Sequence, residues 1–228
     1  MGVRTRAVFF DVDFTLIYPG PMFRGEGYQA FCARHGMKVD AAKFDRAVIS
    51  AAAVLDSRED AAYDAEIFVA YARHIIERMG GDGRQVEACA REIYAEWAGC
   101  QHFHLYDDVP AVLRALATAG VRIGLISNSH RCLASFQSHF ELQGLISATV
   151  SSSEHGFMKP HPSIFRAALQ LVDVAPADAV MVGDSVREDV EGALSAGMRA
   201  VLLQRGEKAR PACDVPVIRS LAELSALL

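Results

Sequence analysis

Two aspartates one residue apart, Asp11 and Asp13, stand where an apolar run ends in Ala7-Val8-Phe9-Phe10-Asp11-Val12-Asp13-Phe14-Thr15. A carboxylate gains nothing from an apolar core. On an extended chain, residues at i and i+2 project to the same side. Two such charges repel by about 4 kcal/mol at 4 Å with an effective dielectric near 20. A cation would relieve that repulsion, so the pair suits metal-assisted acid or nucleophile chemistry. Aspartate also follows strands as a turn or cap residue, and the pair alone leaves both readings open.

Three further groups of polar residues follow apolar runs. Ser127-Asn128 follows Gly124-Leu125-Ile126. Lys159 stands in Gly156-Phe157-Met158-Lys159-Pro160, after a short run near 150. Asp184, Ser185 and Asp189 follow Val180-Met181-Val182-Gly183. The runs that must hold them read as strands over 5–10, 121–126, 148–151, 179–182 and 200–203, with an edge strand at 215–218. Helices are expected at about 109–119, 131–140, 162–172 and 187–196, and Ser220 is expected to cap a last one. Asp108-Val109-Pro110 opens the first of these, and His161 starts the third.

Near-continuous apolar strands alternating with helices predict an α/β fold, a doubly wound (Rossmann-like) parallel sheet covered on both faces. In such a sheet the C-terminal strand ends face one ligand crevice. Between about 17 and 104 the pattern is helical only, with stripes at Phe44, Val48, Ala52 and Leu55; at Tyr63, Ile67, Tyr71, Ile75 and Met79; and at Val86, Ala90, Ile93 and Trp97. With a shorter helix near 25–35, about four helices are expected there, Asp40 capping one and Gly80-Gly81 ending another. The chain therefore reads as a core of residues 1–16 and 105–228 carrying an inserted all-α helical cap, 17–104.

These four motifs, in this order on strand ends, resemble the haloacid dehalogenase (HAD)-like superfamily, in its phosphatase branch with a helical cap after the first motif. The resemblance implies a Mg²⁺-dependent phosphohydrolase cleaving a small-molecule phosphomonoester. Asp11 would be the nucleophile, forming an aspartyl-phosphate. Asp13 would be general acid and then general base. The Asp11 and Asp184 carboxylates and the main-chain oxygen of Asp13 would hold Mg²⁺, with Asp189 supporting the site directly or through water. Ser127 and the Asn128 backbone N–H would bind the phosphoryl group, Thr15 would shape the first loop, and Lys159 would neutralise Asp11 and the phosphoryl charge. The metal-independent dehalogenases of this superfamily lack the second aspartate, which Asp13 supplies here. A phosphomutase of the same superfamily and a phospho-receiver domain are the alternatives, although receivers carry their aspartate after the third strand and have no cap.

The remaining features bound the class. At 228 residues with net charge −5, 51% hydrophobic and 22% charged residues, the chain reads as an ordinary globular protein with no basic footprint for nucleic acid. No apolar stretch approaches a bilayer span, and the N-terminus runs straight into a strand with no signal segment. Five scattered cysteines in no Cys-x-x-Cys spacing argue for a reducing cytoplasm. The expected partner is a small phosphorylated metabolite, with the protein a monomer or homodimer. Tyr18, Met22, Phe23 and Arg24, just after the nucleophile loop, could touch substrate or form hinge packing, and Arg58 is a weaker candidate. His102 and His104 alternate but have no third ligand nearby, so they are read as packing or surface groups.

Overall fold

The computed structural model describes residues 5–56, 61–206 and 213–228. The chain divides into two compact units, Met1–Tyr18 with Leu105–Leu228, and Pro19–His104. Arg58 lies outside the described residues.

The first unit is built on β1 (Ala7–Phe10), and short strands β2 (Ile17–Pro19) and β3 (Phe103–Leu105) form a separate two-stranded sheet. The helices-only expectation for 17–104 therefore fails at both ends. Three-residue strands are too short for their period to stand out in a sequence. The second unit carries α1 (Gly25–Arg34), α2 (Phe44–Asp56), α3 (Ala65–Met79) and α4 (Gln85–Trp97). Asp40 caps the turn leading into α2 by accepting from the Ala42 N–H, and α3 ends at Gly80 with φ 107°. Two expected stripes are rotated. Helix α2 buries Ala47 and Ala51 and exposes Ala52, while α3 buries Val69, Ala72, Ile75, Ile76 and Met79, leaving Tyr71 half-buried. Phe23 is buried among Phe31, Trp97 and Phe103, with ring centroids 4.7–6.3 Å away, so it is a packing residue of this unit. His102 is engaged by Glu96 at 2.9 Å.

The first unit continues with α5 (Val109–Thr118), β4 (Arg122–Ser127), α6 (Leu133–His139), β5 (Ala148–Ser151), α7 (Ser152–His155), α8 (Pro162–Val172), β6 (Ala179–Gly183), α9 (Gly192–Ser195), β7 (Arg199–Leu203) and β8 (Val217–Ile218). Six strands form one sheet in the order β5-β4-β1-β6-β7-β8, and every pairing is parallel. The chain winds outward on one side of β1, then returns to wind outward on the other, so the strand order reverses between β1 and β6. Successive side chains alternate faces. Ala7 and Phe9 join a core with Ile164, Phe165, Ala168 and Leu169 of α8, while Val8 and Phe10, on the opposite face, are also fully buried. Burial on both faces is why these strands read as unbroken apolar runs. Gly124 is required where Phe9 lies across it in register, since a Cβ there would sit 2.3 Å from the Phe9 ring.

Asp108 precedes α5 but does not cap it. Its carboxylate accepts from the Arg205 guanidinium at 2.8 and 3.1 Å, from the Ser220 hydroxyl at 2.7 Å and from the Leu221 N–H at 2.9 Å. Ser220 itself forms a capping box with Glu223 at the head of the final 3₁₀ segment, Leu221–Ala226. Arg205 also lies over the Tyr106 ring at 3.7 Å and donates to the Thr15 carbonyl, linking the C-terminal region to the first loop. Among the described residues no helix is long and apolar enough to cross a membrane.

Burial alone would raise the Asp108 carboxyl, but hydrogen bonds from Arg205, Ser220 and Leu221 hold it below the ordinary carboxylate value. A depressed folded value stabilises above the unfolded pKa and is lost as pH falls through the folded one. Asp108→Asn is therefore expected to lower the urea midpoint at pH 7, with the gap to wild type narrowing on acidification below about pH 4. An equal gap at both pH values would show that the charge plays no part.

Candidate active site

The C-terminal ends of β1 and β6 flank the switch in strand order, where sheets of this kind leave a crevice. Phe10 is in register with Val182, and the Asp11 N–H donates to the Val182 carbonyl at 2.9 Å. This pairing carries Asp11 out beside Gly183 and Asp184. Carboxylate oxygens of Asp11, Asp184 and Asp189 all lie within 4.8 Å of one another, with Asp11 and Asp189 buried and Asp184 exposed.

Lys159 reaches the same place from the loop after α7. Its Nζ donates to Asp11 Oδ1 and to Asp189 Oδ1, each at 2.6 Å, and the side chain is 1% exposed. Its main chain is held from both sides: Asn128 Nδ2 donates to the Lys159 carbonyl at 2.9 Å, and the Lys159 N–H donates to Asn128 Oδ1 at 2.7 Å. Asn128 thus positions the lysine through its side chain, a job distinct from the backbone contact expected of it.

Asp189 is turned inward by local geometry. The Ser185 N–H donates to its Oδ2 at 3.0 Å, and Gly183 has no side chain because a Cβ there would lie 2.1 Å from that oxygen. The expected helix over 187–196 is instead a π-helical turn, Val186–Glu191, followed by α9. Such widened turns are frequent at functional sites. Here the turn carries the buried Asp189 and, before it, the half-buried Glu188.

Burial pushes the Asp11 carboxyl well above the ordinary carboxylate range; Lys159 pulls it down, and the charges of Asp189 and Asp184 push it further up. Burial also works against charge on Lys159, but Asp11, Asp189 and Glu188 outweigh it and hold the ammonium protonated beyond the usual lysine range. Burial raises Glu188 as well, against the opposing pull of Lys159. With all three clustered aspartates ionised, one lysine leaves two negative charges, 3 − 1 = 2. The donor set is hard oxygen in a tight cluster with one member open to solvent. It fits a divalent ion such as Mg²⁺, which prefers oxygen ligands and retains water.

The remaining expected residues are placed as follows. Ser127 ends β4, next to β1 in the sheet; it is buried, and its hydroxyl shares a 2.8 Å hydrogen bond with Ser129. Asp13 is met by Arg131, whose Nη1 lies 3.0 Å from both of its carboxylate oxygens. Phe14, between Asp13 and Thr15, has φ 64°, a left-handed conformation costing about 1–3 kcal/mol for a residue with a side chain. Thr15 is fully buried. Its hydroxyl has no hydrogen-bond partner among the described residues, and its carbonyl takes the Arg205 donors. Arg24 belongs to the other unit, exposed at the residue before α1. Tyr18 packs on Tyr106 at 4.8 Å, and Met22 is half-buried. Arg131 and Glu188 were not anticipated. The one available signal for Arg131 was a basic residue four positions after Ser127 in the same strand-end loop.

A family profile described as haloacid dehalogenase-like hydrolase matches residues 5–197. The chain is 31% identical over 258 residues to N-acylneuraminate-9-phosphatase of Mus musculus, covering 100% of this chain and 96% of that one. Among solved structures, a HAD phosphatase from Thermococcus onnurineus aligns with a TM-score of 0.68 at 22% identity, covering 98% of this chain and 97% of that one. A 2-haloacid dehalogenase from Pseudomonas syringae aligns with a TM-score of 0.63 at 23% identity over the same shares. Phosphatase and dehalogenase thus share the fold, and the fold alone does not choose between their chemistries. Matched by the profile over most of its length and by a relative along all of it, this chain belongs to the haloacid dehalogenase-like hydrolase family.

Proposed function

We propose that the chain is a Mg²⁺-dependent phosphatase that hydrolyses a small soluble phosphomonoester through an aspartyl-phosphate on Asp11. The observation that carries this is the placement of Asp11 at the end of β1, 2.6 Å from the Lys159 ammonium and within 4.8 Å of the Asp184 and Asp189 carboxylates. The name of the mouse relative, N-acylneuraminate-9-phosphatase, supports the same class. The presence of Asp13 argues for phosphoryl transfer over dehalogenation.

In this reading Asp11 attacks phosphorus in line, and Lys159 stabilises both the attacking carboxylate and the charge on the transferring group. Asp13 gives a proton to the leaving oxygen and then takes one from the hydrolytic water. Ser127 and the Asn128 N–H hold the phosphoryl oxygens, while Asn128 also holds Lys159. Asp11, Asp184 and the main-chain oxygen of Asp13 would hold Mg²⁺, and Asp189 would fix Lys159 and support the ion. When bound, the ion would neutralise the carboxylate cluster and the phosphoryl charge. Phosphoryl transfer depends chiefly on such positioning and charge stabilisation. Residues 19–104 would act as the cap that shelters the reaction and selects the substrate.

Phosphate release from a panel of phosphorylated metabolites, without added bisphosphate, tests the reading and separates it from a phosphomutase. Asp11→Asn is expected to lower turnover on the order of 10³-fold or more with an unchanged circular dichroism spectrum. Chelation of metal is expected to abolish release, and added Mg²⁺ to restore it. Full activity in either case would overturn the assignment concerned.

A further inference from the structure

Among the described residues, Arg131 is the largest fully buried side chain. Removing a guanidinium from water costs several kcal/mol, so a buried one needs a good partner. Its charged partner is Asp13, and Nη1 spans both carboxylate oxygens at 3.0 Å. A single donor shared between both oxygens anchors the head of the carboxylate in place. Arg131 is itself set by the loop it belongs to. That loop begins at Ser127, carries the Ser127–Ser129 hydroxyl pair, ties down Lys159 through Asn128, and is joined at its Ser129 carbonyl by the Ser152 hydroxyl and the Ser153 N–H. One strand-end loop therefore holds both Lys159 and Asp13.

The geometry points to Arg131 as the positioning residue of the proton-transfer step, acting through Asp13. This inference rests on the phosphatase reading above. In the first half-reaction an Asp11 oxygen bonds to phosphorus as the bond to the leaving oxygen breaks, and the Asp13 proton passes to that oxygen. In the second, a water oxygen bonds to phosphorus as the Asp11–phosphorus bond breaks, and Asp13 takes the water's proton. Both transfers need the Asp13 carboxyl held at the line of attack, and a carboxyl released from its anchor loses that placement.

Leaving groups read this role out. An alkyl phosphomonoester expels an alkoxide that needs the proton, whereas 4-nitrophenyl phosphate expels a phenolate that does not. With Arg131→Gln, kcat/KM is expected to fall about 100-fold on the alkyl ester and less than about tenfold on the aryl ester. In an Asp13→Asn background the same change is expected to add less than about threefold on either substrate. Arg131→Lys, which retains a buried cation, is expected to recover part of the loss on the alkyl ester; if Arg131→Gln does not fold, it carries the comparison with a smaller but still alkyl-selective loss. Equal losses on both esters, or full additivity with Asp13→Asn, would overturn the proposal. So would a tenfold or greater rise in the inhibition constant of inorganic phosphate, which would assign Arg131 to phosphoryl binding. Asp11→Asn is run in parallel. If it is inactive while Arg131→Gln shows no selectivity, only the Arg131 proposal fails; if it is fully active, the phosphatase reading fails.

Discussion

A lysine ammonium sealed between two buried carboxylates is the interaction around which the site is organised. Lys159 donates at 2.6 Å to both Asp11 and Asp189. Burying a charge costs several kcal/mol unless the geometry of its pairing is good, and charge-assisted hydrogen bonds of this length are among the strong ones. Yet the pairing leaves the cluster negative once Asp184 is included. The arrangement keeps each buried charge paired, and its remaining negative charge is compatible with a divalent cation.

The sheet makes this convergence possible. Parallel strands put all their C-terminal ends at one edge, and Asp11 and Asp184 follow β1 and β6, the neighbouring strands where the strand order reverses. Residues far apart in sequence are then held by short-range devices. Asn128 grips the Lys159 main chain, Gly183 makes room for Asp189, Arg131 fixes Asp13, and Arg205 holds the Thr15 carbonyl. Each is an ordinary hydrogen bond or close approach, and the precision of the site is their joint product.

The parallel core was legible because strands buried on both faces appear as long apolar runs, and the motifs were legible because polar residues interrupt those runs at their ends. What the sequence hid has particular causes. Asp108 stood out only as the residue that opens its own helix, but its partners, Arg205 and Ser220, lie 97 and 112 residues away. The π-helical turn at Val186–Glu191 looked like ordinary helix, because its widening serves a contact from Asp189 to Lys159 that no local period encodes. Arg131 has only its place four residues after Ser127 to mark it, and its meaning depends on Asp13, 118 residues earlier. The rotated faces of α2 and α3 reflect packing choices among several apolar positions that periodicity leaves nearly equivalent.

The carboxylates beside Lys159 leave an excess of negative charge that one divalent ion would neutralise. Calorimetric titration of the metal-stripped protein with Mg²⁺, on wild type and on Asp184→Asn, reads this directly. Uptake of one ion per chain by wild type, weakened at least about tenfold, or roughly 1.4 kcal/mol, in Asp184→Asn, is the predicted result. Equal binding by the two proteins, or none by wild type, would contradict it.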